Sequence, residues 1–298
     1  MADEASQRRR RYLVTGASGR LGGTVVAEID ASGAAVLALS GSIVGNIGAT
    51  PLTPLPLEDV PALRCAVRDF QPTHVLHLGG ITGMAQAFED PERAHAINAA
   101  ATAALSQECC SLGARYLFAS TDMVFDGTTP PYCEDDPPRP TSVYGQTKVA
   151  GERALVGTDA AIARLPLLYG PVVGVRHDEF VAWTAALRRG EPQRLFIDEF
   201  RTPISYRDAA RAVLAIAGSS FSGIVHVGGP ERVSRFELIA AIARRLGIDE
   251  PPLVASTRAA VPGPEPRPAD LALDSSLYRK HFAECLPLAP AQLEFAGI

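Results

Sequence analysis

Residues 12–22, Tyr12-Leu13-Val14-Thr15-Gly16-Ala17-Ser18-Gly19-Arg20-Leu21-Gly22, decide the fold. The run 12–15 is short and apolar and ends at glycine, which reads as a buried strand. A helix-like stretch follows at 23–31. Glycine permits a tight turn and lets the backbone approach a pyrophosphate, and a helix N-terminus offers unpaired N–H groups and a positive dipole end. The spacing is G-x-x-G-x-x-G, at Gly16, Gly19 and Gly22, and not G-x-G-x-x-G. A glycine triplet alone also suits a closely packed turn; its position between a strand and a helix favours a dinucleotide cradle.

Downstream, apolar runs at 35–39, 74–78, 115–120 and 161–165 read as strands, and 58–70, 90–112 and 142–156 as helices. Pro91 suits the first turn of its helix. Strands alternating with helices at short spacing, with no fixed-period repeat, predict an α/β fold: a doubly wound parallel sheet covered on both faces. Residues 40–57, rich in Gly and Pro, read as loop. Beyond about residue 170 the pattern loosens, with helices at 178–189, 206–217 and 235–246, a strand at 223–227 and a Pro-rich stretch at 251–268. The expected division is a dinucleotide-binding domain over 1–168, with 204–228 returning to it. A smaller, interleaved substrate domain takes 169–203 and 229–298.

The chain has 298 residues, with 28 Lys+Arg against 33 Asp+Glu for a net charge of −5. That balance argues against a nucleic-acid or anionic-membrane partner. Hydrophobic residues at 47% and charged residues at 20% describe a globular chain long enough to need no disulfide or metal staple. The five cysteines include the adjacent Cys109 and Cys110 and form no C-x-x-C, which fits a reducing cytoplasm. Arg8 to Arg11 read as a solvated tail, with no signal-peptide pattern beside them. Residues 31–57 carry no charge, but their glycines and prolines exclude a membrane helix.

An enzyme that takes NAD commonly places an acidic residue on the ribose 2′-hydroxyl about 20 residues beyond the glycine loop. None occurs between Asp30 and Glu58. Ser40 and Ser42, with Arg20 as the nearby cation, suit a 2′-phosphate instead, so NADP is expected, with NAD possible; Arg20 also reads as a solvent-facing residue of the first turn. The most specific feature is Tyr144-Gly145-Gln146-Thr147-Lys148. Positions i and i+4 share a helix face, and a neighbouring ammonium lowers a phenol's pKa toward working pH, making Tyr144 a workable proton donor. Such a pair is also common on helix surfaces. Here it follows Ser120-Thr121-Asp122, whose hydroxyls sit at the carboxyl end of a strand, where an open α/β sheet binds ligands.

With those residues together, the sequence resembles the extended short-chain dehydrogenase/reductases. Within them, Ser120-Thr121-Asp122-Met123-Val124-Phe125-Asp126-Gly127, Pro131-Tyr132-Cys133-Glu134 and Pro140 to Glu152 are similar to the dTDP-4-dehydrorhamnose reductases. The likeness extends to 91–100 and to Arg164-Leu165-Pro166-Leu167-Leu168-Tyr169-Gly170. It implies a reductase acting on a keto group of a nucleotide-linked sugar. Thr121, Tyr144 and Lys148 would be catalytic: Thr121 on the reacting oxygen, Tyr144 as general acid, Lys148 on the nicotinamide ribose. Gly16, Ser18, Gly19, Arg20, Leu21, Gly22, Ser40, Leu78, Gly79, Gly80, Ser120, Leu165 and Leu168 would join Tyr144 and Lys148 in holding the cofactor. Thr82, Asp122, Met123 and Arg201 would border the substrate, and Asn98 would support the active-site backbone or serve as a helix-kink partner.

The chain departs from that pattern at Gly79-Gly80, where alanines are frequent, at Thr73 in place of Asp, at Met123 in place of tyrosine, and near 56–57, where an acidic position is expected. Asp122, Asp126, Glu134, Asp135 and Asp136 read as solvated carboxylates and His74 and His77 as structural residues, so no metal is expected. Two other readings stand beside the reductase: an NADP-binding regulatory subunit resembling that of methionine adenosyltransferase, and an epimerase or dehydratase of the same superfamily. Ala99, Ala100, Ala101, Ala103, Ala104, Ala150 and Gly151 suit either a helix-bundle homodimer or packing within one chain.

Overall fold

The computed structural model describes residues 10–174 and 179–282. Chain order begins β1 (Arg11–Thr15), α1 (Arg20–Ser32), β2 (Ala35–Leu39), β3 (Asn46–Ile47), β4 (Thr50–Thr53), α2 (Val60–Phe70), β5 (His74–His77), α3 (Met84–Glu89) and α4 (Pro91–His95). A π-helical turn over Ala96–Ala100 joins α4 to α5 (Ala101–Leu112). Next come β6 (Arg115–Thr121), a 3-10 turn (Asp122–Val124), α6 (Val143–Arg153), β7 (Ala161–Leu165), β8 (Leu168–Tyr169), α7 (Glu179–Arg188), β9 (Gln193–Phe196), β10 (Phe200–Arg201) and β11 (Ile204–Ser205). The remainder is α8 (Tyr206–Ala217), β12 (Gly223–His226), β13 (Val233–Ser234), α9 (Arg235–Arg245), β14 (Leu253–Ser256) and α10 (Ser276–His281).

The main sheet runs β12-β7-β6-β5-β1-β2-β4-β3, parallel throughout except at the β3–β4 edge. Strand alternation divides the core. Leu13, Val75 and Phe118 face Leu63 and Val67 of α2, Leu105 of α5 and Val149 of α6. Tyr12, Val14, Leu76 and Leu117 face Val25 and Ile29 of α1 and Val213 and Ile216 of α8. The chain leaves β1 toward β2 on one side and reaches β5 on the other, so a crevice opens at the carboxyl ends of β1 and β5.

Two local features differ from the sequence reading. The Gly/Pro-rich stretch holds β3 and β4, and β4 extends the parallel sheet beside β2; Pro51 is tolerated because it precedes Leu52 and Thr53, the residues registered with β2, so its missing N–H takes no bond from that ladder. The 90–112 helix is interrupted by the π turn, whose i→i+5 bonding shifts the helix phase without ending the helical course and has no residue signature. Of the small helix residues, Ala99, Ala101, Ala104 and Gly151 are buried within the chain, where a Cβ on Gly151 would lie 2.6 Å from the Asn98 carbonyl oxygen, while Ala103 and Ala150 are half-buried and Ala100 is exposed. Of the basic run, Arg8 and Arg9 lie outside the described residues, while Arg10 donates to the Tyr12 hydroxyl and Arg11 stacks over Phe70. Among the described residues no helix is long and apolar enough to cross a membrane.

Candidate active site

A cleft of about 930 Å³ follows the carboxyl edge of the sheet, and every residue singled out above for catalysis, cofactor or substrate lines it. One end is built by backbone. Gly16 has φ +67°, and a Cβ there would lie 2.6 Å from Gly79 Cα; a Cβ on Gly22 would lie 2.1 Å from the Gly16 carbonyl oxygen. Only glycine fits at either place. Gly19, the N-cap of α1, offers no side chain, so the first-turn N–H groups of α1 have no capping oxygen. Ser18 donates to the Ser40 carbonyl at 3.0 Å, tying the turn to β2. The Ser40 hydroxyl lines the cleft but is already donated to the Ile43 carbonyl; Ser42 is exposed at the same corner.

The wall after β5 is held from beneath. Thr15 Oγ1 accepts the Gly79 N–H at 3.0 Å and meets His77 Nδ1 at 2.7 Å. His77 Nε2 reaches Thr102 Oγ1 at 3.0 Å, and Thr102 donates to the Asn98 carbonyl. Those donors and acceptors match with His77 neutral, and burial pushes its pKa down to about 3. Asn98, carried inward by the π turn, is fully buried. Its Oδ1 accepts the Ile81 N–H, and its Nδ2 donates to the Ile81 carbonyl and to Thr147, each at 2.9 Å. It thereby clamps the 79–82 loop to α6, and Gly80 leaves the room it needs.

α6 starts where Ser142 accepts the Gly145 N–H at 3.1 Å, which places Tyr144 and Lys148 on its buried face. Burial pushes the Tyr144 phenol up to about 12; a hydrogen bond with Thr121 opposes this, and the charge of Asp122 adds to it. Lys148 is buried as well and comes down to about 7, Glu152 opposing. Its Nζ sits 3.9 Å from the centroid of the Phe118 ring. The expected lowering of the Tyr144 pKa by Lys148 is therefore absent: desolvation dominates both groups, and the ammonium rests on an aromatic face. Thr121 Oγ1 accepts the Met123 N–H and donates to Asp122, both at 3.2 Å.

At the far end Arg201 approaches Asp122 Oδ2 at 3.2 Å, close enough for charge attraction but not aligned for a hydrogen bond. Burial raises Asp122 to about 6, with Arg201 opposing. Glu199, buried, stands 3.4, 3.6 and 3.8 Å from Arg201, Arg235 and Arg267. Glu199, Arg235 and Arg267, and Glu58 with Arg93 near the other end, line the cleft without having been read from sequence. They come from short strands, helix ends and a Pro-rich loop, with no periodic marker; Arg201-Thr202-Pro203 was the signal at hand. The acidic residues beyond Asp122 serve turns: Asp126 accepts from Thr128 and Tyr132, Asp136 from the Cys133 N–H, and Glu134 from the His226 N–H.

A nucleotide-type cradle, a Thr–Tyr–Lys set and an arginine-rich end in one cleft invite comparison with known proteins. The dTDP-4-dehydrorhamnose reductase of Streptomyces griseus is 34% identical over 281 residues, covering 91% of this chain and 88% of that protein. The methionine adenosyltransferase 2 subunit beta of Xenopus tropicalis is 31% identical over 280 residues, covering 91% and 82%. Among solved structures, a dTDP-4-dehydrorhamnose reductase from Clostridium acetobutylicum superposes with a TM-score of 0.78 at 26% identity, covering 92% of each chain. The UDP-glucose 4-epimerase of Thermus thermophilus, solved with NAD, superposes with a TM-score of 0.74 at 26% identity, covering 91% and 92%. The family model of the RmlD substrate binding domain matches residues 10–291, and with these likenesses and the doubly wound sheet the chain belongs to that family of sugar-nucleotide reductases and their relatives.

Proposed function

We propose that the chain is an NADP-dependent reductase of a keto group on a nucleotide-linked sugar. The observation that carries this reading is the placement of Thr121, Tyr144 and Lys148 in the same cleft as a glycine turn packed too closely against its own backbone to admit a Cβ at Gly16 or Gly22. Those residues fit a dinucleotide: the uncapped start of α1 suits a pyrophosphate, Ser42 stands exposed just beyond β2 where a 2′-phosphate belongs, and Arg20 lines the same cleft. Leu165 and Leu168 would underlie the nicotinamide, and Gly79 and Gly80 would pass the adenosine side. When bound, NADPH supplies the hydride.

The chain's own residues do the rest. Tyr144, held protonated by burial, is suited to give its proton to the carbonyl oxygen that becomes the alcohol. Thr121 sits beside the phenol and, by turning its hydroxyl from Asp122, would donate to the charge developing on that oxygen. Lys148 holds the ribose and returns positive charge to the dry end of the cleft. Arg201, Arg235 and Arg267 suit a diphosphate, their charge only partly offset by Glu199 and Asp122. The cofactor domain is 1–168 with 204–228, and the smaller domain of 169–203 and 229–298 closes the substrate end against Thr82, Asp122 and Met123. A cytoplasmic setting and a homodimer complete the reading.

The second reading, a cofactor-binding regulatory subunit, is favoured by the likeness to methionine adenosyltransferase 2 subunit beta. Thermal-shift titration with NADPH, NADH and a panel of nucleotide sugars separates the two, because a ligand that binds the folded state raises Tm by mass action. The reductase reading expects NADPH to stabilise more than NADH, nucleotide sugars to add a further shift, and NADPH oxidation with a keto sugar. A stoichiometric enzyme partner with no oxidation of NADPH by any keto sugar contradicts it.

A further inference from the structure

Behind the cleft lies a charged network that the proposed reaction does not use. Among the described residues, Arg164 on β7 is the largest fully buried side chain. Its Nε and Nη2 donate to the two carboxylate oxygens of Glu152 at 3.0 and 2.7 Å. Its Nη1 donates to His226 Nε2 at 3.3 Å, which leaves His226 neutral with Nδ1–H donating to the Tyr132 carbonyl at 3.0 Å. Ser120, next to Thr121, donates to Glu152 Oε1 at 2.5 Å. Glu152 therefore receives three donors.

Two observations make this more than packing. A buried ion pair is seldom more stable than apolar residues of the same volume, so its presence one helical turn from Lys148 calls for a role. The chain also contains only two lysines, Lys148 and Lys280, and is otherwise supplied with arginine. A lysine can lose its proton when buried; an arginine does not. Position 148 thus holds a titratable cation in a chain whose basic side chains, Lys280 apart, are arginines.

The groups facing Lys148 are few. On its own helix these are Tyr144 and Glu152. On β6 it meets the Phe118 ring, and on β5 the neutral His77, whose protonation Lys148 opposes. The π turn contributes the uncharged Asn98, and Asp122 on the 3-10 turn acts on Tyr144. α3 and α4, which pack on α6, carry Glu89, Glu92, Arg93 and His95, all exposed to solvent, with Arg93 paired with Glu58. Against burial, the one charge that keeps Lys148 protonated is Glu152.

We propose that Glu152 and Arg164 form a charge-setting pair behind the reaction centre. Glu152 holds Lys148 as an ammonium, Arg164 limits the strength of that hold, and through Ser120 the same carboxylate fixes the end of β6 beside Thr121. Glu152 is a positioning residue, and the proposal rests on the reading that Tyr144 and Lys148 form the reacting pair.

Having two lysines permits a direct test. The full chain labelled with 13C at lysine Cε gives two signals, Lys280 being identified by Lys280→Arg, and each reports its own Nζ titration. Glu152→Gln lowers the Lys148 midpoint by about one pH unit, a tenfold change in the amine's protonation equilibrium. Arg164→Gln moves it upward, and Glu152→Asp, which keeps the charge, leaves it near the wild-type value. A purely structural pair moves both Gln variants the same way or neither, and either result overturns the proposal. If Glu152→Gln does not fold, the Glu152→Gln/Arg164→Gln chain, which orphans no charge, is read instead. Its midpoint falls below wild type because the carboxylate is the nearer charge, and an unchanged midpoint overturns the proposal. Shifts of the expected sign in a protein that never oxidises NADPH support the charge-setting pair and defeat the reductase reading.

Discussion

Lys148 is stored at a cost. Its amine titrates at about 7 in the folded chain against 10.5 when free. The unfolded chain binds the extra proton between those values, so the lysine's contribution makes stability rise with pH across that window and is least favourable below it. Lys148→Met therefore raises Tm by several degrees near pH 6, and the gain shrinks as pH climbs from about 7 toward 10.5; thermal melts across pH check it. A gain independent of pH contradicts the burial of a titrating amine. The Tyr144–Lys148 spacing was legible in the sequence because i and i+4 share a helix face whatever surrounds them. The direction of the phenol's shift was not, because it depends on how dry the cleft is and on Phe118, which lies far from 148 in the chain.

Among the elements, the π turn at Ala96–Ala100 does the most for the site. By bringing Asn98 inward it satisfies both backbone groups of Ile81 and ties that loop to Thr147 on the helix of Tyr144. Asn98→Ala leaves buried partners unpaired, at a cost of about 1–3 kcal/mol each. It lowers Tm and weakens NADP binding at least several-fold, as melting and fluorescence titration will register; unchanged cofactor affinity contradicts the clamp. The strands β1, β2, β5, β6 and β7 were readable as apolar runs because both faces of a parallel sheet are covered. β4 was not: Pro51 and the surrounding glycines imitate a loop, and pairing with β2 overrides local propensity.

Across the whole molecule, two chemically different ends share one cleft. The cradle end follows from glycine spacing within a dozen residues. The arginine end assembles Arg201, Arg235 and Arg267 around Glu199 from three separate segments, and only tertiary structure brings them together. Arg235 is half-exposed and remote from the glycine turn in sequence. Arg235→Ala weakens binding of a nucleotide diphosphate sugar at least about tenfold, the scale of one hydrogen bond to a charged group, with NADP affinity and Tm nearly unchanged. Calorimetric titration with each ligand reads the difference, and equal losses for both contradict a divided cleft.

The central claim is that Tyr144 gives up a proton inside a dinucleotide cleft. Single-turnover NADPH oxidation with a keto nucleotide sugar, in the wild-type chain and in Tyr144→Phe, tests it most directly. Loss of a general acid costs about 10² to 10⁴ in rate. The account predicts a loss of that size in Tyr144→Phe with NADPH affinity preserved; turnover at the wild-type rate would contradict it.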